Sequence, residues 1–387
     1  MAIYLDHAAT SPLRPEVLEE YVAALRVIGN PASIHGPGQE ARELLESGRE
    51  HVAASLGADA VEVVLTGGGT ESVNLGVKGL YWSRNALADR PRPRILTTRA
   101  EHAATLDSVE WLVTRERAVV DWIEVDDVGR IRLDDLERAL ADPADVALVS
   151  VLWANNEVGT LQPVERVVAL AAVAGVPVHL DAIAAYGSVP IDFHAVGAAA
   201  LSVSAHKIGG PVGIGALLVS RSAAVEPLLH GGNQQRARSG TQDAAGAVAF
   251  GAAADLAARE LAEHASRLAA LRDRLRDGIL TSTPGVEVRG DPDPAGRLPG
   301  NLHVTIEGCQ GDALLFLLDR AGIAVSTGSA CQAGVAEPSH VLRAMGVPDT
   351  VARGALRLTL GRETTADDID AVIAALPGIV AQARGAA

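Results

Sequence analysis

The stretch Ala200-Leu201-Ser202-Val203-Ser204-Ala205-His206-Lys207-Ile208-Gly209-Gly210 ends an apolar strand in a hydroxyl, an imidazole and an amine. The amine is the informative group. Among 33 Lys and Arg residues, only Lys78 and Lys207 are lysines. A lysine at the end of an apolar strand is a poor candidate for a generic surface charge. Desolvation makes such an amine lose its proton readily, and it then acts as a nucleophile able to form a Schiff base. The competing reading is a structural lysine paired with a carboxylate. Lys78 lies in Asn74-Leu75-Gly76-Val77-Lys78-Gly79-Leu80, a predicted helix face, and reads as a solvated charge.

Two further stretches carry chemistry. Thr66-Gly67-Gly68-Gly69-Thr70-Glu71 follows the predicted strand Val61–Leu65 and opens a helix reaching Tyr81. A glycine loop at a helix N-terminus offers free N–H groups and a positive dipole end to a phosphate. Its spacing matches neither the dinucleotide fingerprint nor the nucleotide P-loop, and a plain tight turn is the competing reading. Cys331 sits in Thr327-Gly328-Ser329-Ala330-Cys331-Gln332-Ala333-Gly334, too polar and glycine-rich for core. That context favours an accessible thiol, with a free pKa near ~8.5. Cys309 reads instead as a small buried apolar residue.

The strands that must position these groups recur at regular spacing. Arg94–Thr98 leads to Glu101 and His102, Val146–Trp153 to Asn155, Asn156 and Glu157, Val176–Leu180 to Asp181, and Ala200–Ser204 to His206 and Lys207. Helical stretches between them, such as 133–140 and 164–174, predict an α/β fold with a mostly parallel sheet. Ligands of such sheets bind beyond the C-terminal strand ends, where all these polar residues fall. Singly, His102 reads as a satisfied structural histidine and Asp181 as a helix cap. Their shared location is the stronger signal. A strand over 214–220, a candidate for an antiparallel course, precedes a polar, basic loop, His230 to Thr241, and a long helix over 244–280. The segment 282–300, with four prolines, marks a boundary or exposed loop. The remainder reads as a smaller α+β unit, with Thr365 and Asp368 as a helix-start pair. The expected division is 1–260, a large unit with an N-terminal segment, and 261–387, a small C-terminal unit with the Cys331 loop.

Composition narrows the partners. The chain has 387 residues, 48% of them hydrophobic, and a net charge of -15, which argues against direct nucleic-acid binding. No apolar run approaches the roughly 20 residues that span a bilayer, and no signal peptide is evident. Two cysteines make no disulfide framework and suit a reducing cytoplasm. No metal-ligand pattern stands out.

The ordered motifs resemble the cysteine desulfurases of the class V aminotransferase family, fold-type I pyridoxal phosphate enzymes. They run from Leu5-Asp6-His7-Ala8-Ala9-Thr10 through Gly29-Asn30-Pro31-Ala32-Ser33, Ala154-Asn155-Asn156-Glu157-Val158-Gly159-Thr160 and Ser204-Ala205-His206-Lys207. They end in Gly328-Ser329-Ala330-Cys331 and Ser339-His340-Val341-Leu342-Arg343-Ala344-Met345-Gly346. The long Cys331 loop resembles the iron–sulfur-cluster and nitrogen-fixation branch.

The resemblance implies that Lys207 holds the cofactor and shuttles protons, that Asp181 pairs with the pyridine nitrogen, and that His102 stacks on the ring. It implies that Thr70, Ser204 and His206 bind the phosphate, helped by N–H groups after Gly69. It places Asn155 and Arg357 on the substrate carboxylate, and Thr241 on the phosphate of a neighbouring subunit in a homodimer. Cys331 thiolate would take the sulfur of L-cysteine as a persulfide, alanine would leave, and a protein acceptor would receive the sulfur: an iron–sulfur scaffold, a tRNA-thiolation protein or a DNA-sulfur system. Alternatives are another class V enzyme, a selenocysteine lyase or an aminotransferase, and a non-catalytic scaffold. Cys331 argues against the aminotransferase, and the intact Lys207, Asp181 and Cys331 against the scaffold. Three positions depart from the family pattern. His7 stands where Asn is frequent. The stretch Gly231 to Thr241 is one residue short, which unsettles Arg236 and Arg238. Ala184 replaces a glutamine that donates to the cofactor's phenolic oxygen.

Overall fold

The computed structural model describes residues 3–86, 90–328 and 338–385. The strands in chain order are β1 (Ile3–Tyr4), β2 (Val63–Thr66), β3 (Arg94–Thr98), β4 (Val119–Ile123), β5 (Val146–Leu152), β6 (Val178–Asp181), β7 (Ala200–Ser204), β8 (Gly215–Val219), β9 (Val286–Arg289), β10 (Asn301–Ile306), β11 (Ile323–Ala324) and β12 (Ala355–Thr359). Seven form one sheet in the order β2-β8-β7-β6-β5-β3-β4. All run parallel except β8, which is antiparallel to both neighbours, as its sequence position suggested. The α/β class is therefore as expected.

Burial explains the strand sequences. β5 through β8 are covered on both faces, so β5 reads Val-Ala-Leu-Val-Ser-Val-Leu without alternation. β4, at the sheet edge, escaped the sequence reading: Asp121 interrupts it and Val119 is exposed. The opposite edge, β2, is covered by the Gln235 side chain. Its amide accepts from Leu65 N–H at 3.1 Å and donates to Leu65 O at 2.7 Å, blunting an edge open to strand addition. The strand starts two residues later than predicted, because 60–62 forms a 3-10 turn that leaves Val61 exposed.

A second core lies under the antiparallel sheet β12-β10-β9. Leu302, Val304, Leu356 and Leu358 of that sheet pack on Leu314 and Leu318 of the helix Gly311–Arg320, on Ile369 and Val372 of Ala366–Gly385, and on Cys309, confirming Cys309 as core. Thr365 caps the last helix: its N–H and hydroxyl donate to Asp368 Oδ2 at 2.9 and 2.7 Å, and its hydroxyl accepts from Asp368 N–H at 3.2 Å. The helix Ala244–Ser282 is shared. Ala253, Ala254 and Ala257 enter the first core, and Leu268, Leu275 and Ile279 the second. Residues 3–5 differ from the expected division. β1 pairs with β11, and Leu5 is buried in the second core, so the N-terminus ties the two cores together.

Candidate active site

Every parallel strand of the large sheet, and β2 with them, ends at the same edge, and the predicted polar residues converge there. Lys207 closes the 3-10 turn Ala205–Lys207 after β7. Its Nζ donates to Ala9 O at 2.8 Å and to Ala8 O, carbonyls of the N-terminal turn. Burial lowers its pKa to about 8, helped by the positive charge of Arg357 and opposed by Asp6 and Asp181. At neutral pH the amine is thus much closer to losing its proton than an ordinary lysine. His206 beside it lies 3.2 Å from Thr10 Oγ1, and burial and the Lys207 charge lower its pKa to about 4.

Asp181 is the last residue of β6 and is 2% exposed. Burial pushes its pKa up, while His102, the Ile183 N–H and Lys207 pull it down. The Ile183 N–H reaches Oδ1 at 3.0 Å. His102 caps the helix Ala103–Glu116, its Nδ1 accepting from Ala104 N–H at 3.1 Å, yet the ring is exposed. One nitrogen is therefore structural, and the residue is otherwise exposed.

The glycine loop fits a phosphate cradle. The helix Gly69–Ala86 starts at Gly69, where a Cβ would come within 2.4 Å of Ile183 Cδ1 and 3.4 Å of Ser204 Cβ. Ser204 is fully buried, and its hydroxyl has no partner. An orphaned buried hydroxyl facing a helix N-terminus suits an anion that would complete it. Thr70 is exposed beside it. Glu71, unused in the sequence reading, accepts from Gly67 N–H at 2.7 Å and from Arg238 Nε at 3.0 Å. Arg236 turns away to the carbonyls after β8. Thr241 is exposed.

Arg357, on β12, is 6% exposed. Its Nη2 pairs with Asp6 Oδ1 at 2.8 Å, its Nη1 donates to Asn156 O at 3.0 Å, and its Nε is buried without a partner. Asn155 makes its hydrogen bonds within the protein. It is fully buried; Oδ1 accepts from Glu157 and Val158 N–H at 2.9 and 3.0 Å, and Nδ2 donates to Ala100 O at 2.9 Å. The side chain holds its own turn. Asn156, grouped with the strand-end residues in the sequence but given no separate role there, faces a cavity with its Oδ1 unpartnered. That cavity, about 120 Å³, lies between the cores and is also lined by Lys207, Ala184, His7, Glu260 and His264. His7 packs edge-on against Tyr4, with ring centroids 4.9 Å apart, and its pKa is lowered to about 4, chiefly by burial. Cys331 lies outside the described residues.

The chain is similar to known proteins along nearly its whole length. The class-V aminotransferase model matches residues 3–372. An IscS-like cysteine desulfurase of Mycobacterium tuberculosis is 52% identical over 385 residues, which is 99% of this chain and 98% of that protein. A solved NifS-like protein superposes with a TM-score of 0.90 at 34% identity, covering 99% of this chain and 100% of that one. A structure described as SspA in complex with cysteine superposes with a TM-score of 0.78 at 29% identity, covering 92% and 98%. With the strand-end lysine and aspartate, the phosphate cradle and these full-length likenesses together, the chain belongs to the class-V aminotransferase family, among its pyridoxal-phosphate-dependent cysteine desulfurases.

Proposed function

We propose that this chain removes the sulfur of L-cysteine, releases alanine and carries the sulfur on Cys331 to a protein acceptor. The observation that carries the reading is Lys207, a lysine with a pKa lowered to about 8, across from buried Asp181 and near the unpartnered Ser204 hydroxyl. Pyridoxal phosphate, when bound, supplies an electron sink that weakens bonds at the substrate's α-carbon.

The chain's own residues do the rest. Lys207 would hold the cofactor, and its amine, with a pKa near working pH, would give and take the α-proton. Asp181, as an anion, keeps a proton on the pyridine nitrogen. The Ser204 hydroxyl, Thr70, His206 and the N–H groups after Gly69 hold the phosphate, and Thr241 of a second copy completes that set. His102 covers one face of the ring. The buried Nε of Arg357 takes the substrate carboxylate. The second Nδ2 hydrogen of Asn155 is the one group left on that side chain for the cofactor or substrate. Cys331 thiolate attacks the substrate sulfur: a sulfur–sulfur bond forms, the carbon–sulfur bond breaks and its electron pair stays with the organic fragment, which is protonated to alanine.

A homodimer suits the exposed row Leu18, Val22 and Leu25 along the helix Pro15–Ala24, an apolar face that a second copy would cover. Among the described residues no helix is long and apolar enough to cross a membrane. A reducing compartment, the cytoplasm, keeps the Cys331 thiol usable. The acceptor is a protein of the iron–sulfur scaffold or tRNA-thiolation kind.

Cys331→Ser tests the reading. The variant should bind the cofactor and respond spectrally to L-cysteine, but form no persulfide and release no sulfide. Cys309→Ser should match the wild type. Undiminished L-cysteine turnover in Cys331→Ser would sink the persulfide route.

A further inference from the structure

The turn Asp6 to Ser11 reaches three groups of the site at once. Asp6 pairs with Arg357, and the carbonyls of Ala8 and Ala9 accept from Lys207. Thr10 Oγ1 meets His206, and Ser11 donates its N–H to His206 O at 2.9 Å and its hydroxyl to Lys207 O at 3.0 Å. The turn is itself braced. The Tyr4 hydroxyl is 3.0 Å from Asp6 O and 2.9 Å from Thr10 O, and Ala8 N–H donates to Thr359 Oγ1 at 2.9 Å. Thr359 lies two residues beyond Arg357 on β12, so the brace and the guanidinium share one strand.

We infer that Asp6 is a positioning residue for substrate-carboxylate recognition, acting through Arg357. This rests on the reading of Arg357 given above. An arginine side chain loses considerable rotamer freedom when it is held in one geometry. Here Asp6 and the Asn156 carbonyl hold its two Nη groups before any substrate arrives. Among the donors that remain, the Nε–H is buried and unpartnered. A buried donor left without an acceptor is costly, and an incoming carboxylate removes that cost. Two anchors on one guanidinium thus pre-orient its remaining donors, the Nε–H among them, and pre-orientation raises affinity. Asp6 does this by geometry, through an accepting oxygen at the right distance. An amide oxygen in the same place serves nearly as well.

The test uses the holoenzyme and two readouts: steady-state turnover of L-cysteine, and spectral titration with L-alanine, which presents a carboxylate without sulfur. Asp6→Ala should raise KM for L-cysteine and the alanine dissociation constant about tenfold, with kcat within about threefold. Asp6→Asn should restore both to within about threefold of the wild type. In an Arg357→Ala background, Asp6→Ala should change neither further. If Asp6→Ala does not fold, Asp6→Ser, too short to reach the guanidinium, takes its place. An unchanged KM in Arg357→Ala would count against the reading of Arg357 itself. A raised KM in Arg357→Ala with no effect of Asp6→Ala, or an equal effect of Asp6→Ala with and without Arg357, would overturn the role of Asp6.

Discussion

Lys78 and Lys207 are the chain's two lysines, and burial lowers the pKa of both. Their surroundings otherwise have little in common. Lys78, on the helix Gly69–Ala86, donates to Asn74 Oδ1 at 2.8 Å, one turn back, and lies 4.6 Å from the centre of the Trp111 ring. An amide oxygen and an aromatic face stabilise its charge, and no reactive group stands nearby. It is half-buried, where the sequence suggested a solvated charge; the difference comes from Trp111 on the neighbouring helix Ala103–Glu116. Lys207 sits at a strand end, held by two backbone carbonyls, repelled by Arg357 and attracted by Asp6 and Asp181. Partial desolvation alone therefore does not make a lysine chemical. What sets Lys207 apart is the cation opposite it, the two carboxylates nearby and the adjoining cavity.

The sharpest way to break this comparison is to remove each lysine. Lys207→Ala should cut L-cysteine turnover by at least ~10²–10⁴-fold, the range for losing a positioned acid–base group. Lys78→Ala should stay within about threefold of the wild type. Borohydride reduction and peptide mapping should label Lys207; label on Lys78 would reverse the assignment.

Proton linkage reads the Lys207 side in the cofactor-free protein. Below about pH 8 both folded and unfolded chains hold the Lys207 proton, and the folded state bears the full cost of burying the charge. Between about 8 and the ordinary 10.5 the unfolded chain holds more protons, so the Lys207 contribution to stability rises with pH. Urea midpoints of the wild type should therefore climb relative to Lys207→Met across that window. A constant difference between the two proteins would contradict the lowered pKa.

A milder change lends the Lys207 side an amide of the kind that Lys78 already has. Ala184 lines the cavity beside Lys207 and donates nothing from its side chain. Ala184→Gln adds one neutral hydrogen bond, worth about 0.5–1.5 kcal/mol. The absorbance titration of the bound cofactor should move by up to about one pH unit. An unmoved curve would mean that the position is already served by another donor.

The smallest effect belongs to the Lys78 side. A double-mutant cycle of Lys78→Met with Trp111→Leu should show a coupling of about 0.5–1 kcal/mol in urea unfolding, the scale of a partly exposed cation–π contact. Desulfurase activity should stay level throughout. Zero coupling would make the 4.6 Å approach incidental.

Residue pattern alone determined the sheet class, most of the strands and the strand-end location of His102, Asp181 and Lys207. The cause is local: β5, β6 and β7 are buried on both faces, so each is a short, largely apolar segment without the alternation of a half-exposed strand, and the polar residues at or just beyond its end lie at the sheet's edge. The signal fades where burial fades, as in edge strand β4 with Asp121 inside it. Tertiary structure alone decided who meets whom. Asp6 and Arg357 are 351 positions apart, and nothing near either names the other. β1 joins the second core through β11, which sends the Asp6–Ser11 turn to the end of β7. Asn155 Oδ1 closes its own turn, while Asn156 faces the cavity, a distinction that two adjacent identical residues do not carry in their letters. Short-range periodicity follows from which face of an element is buried. Long-range partners depend on how the elements close on one another, and in this chain that closure aims the reactive groups.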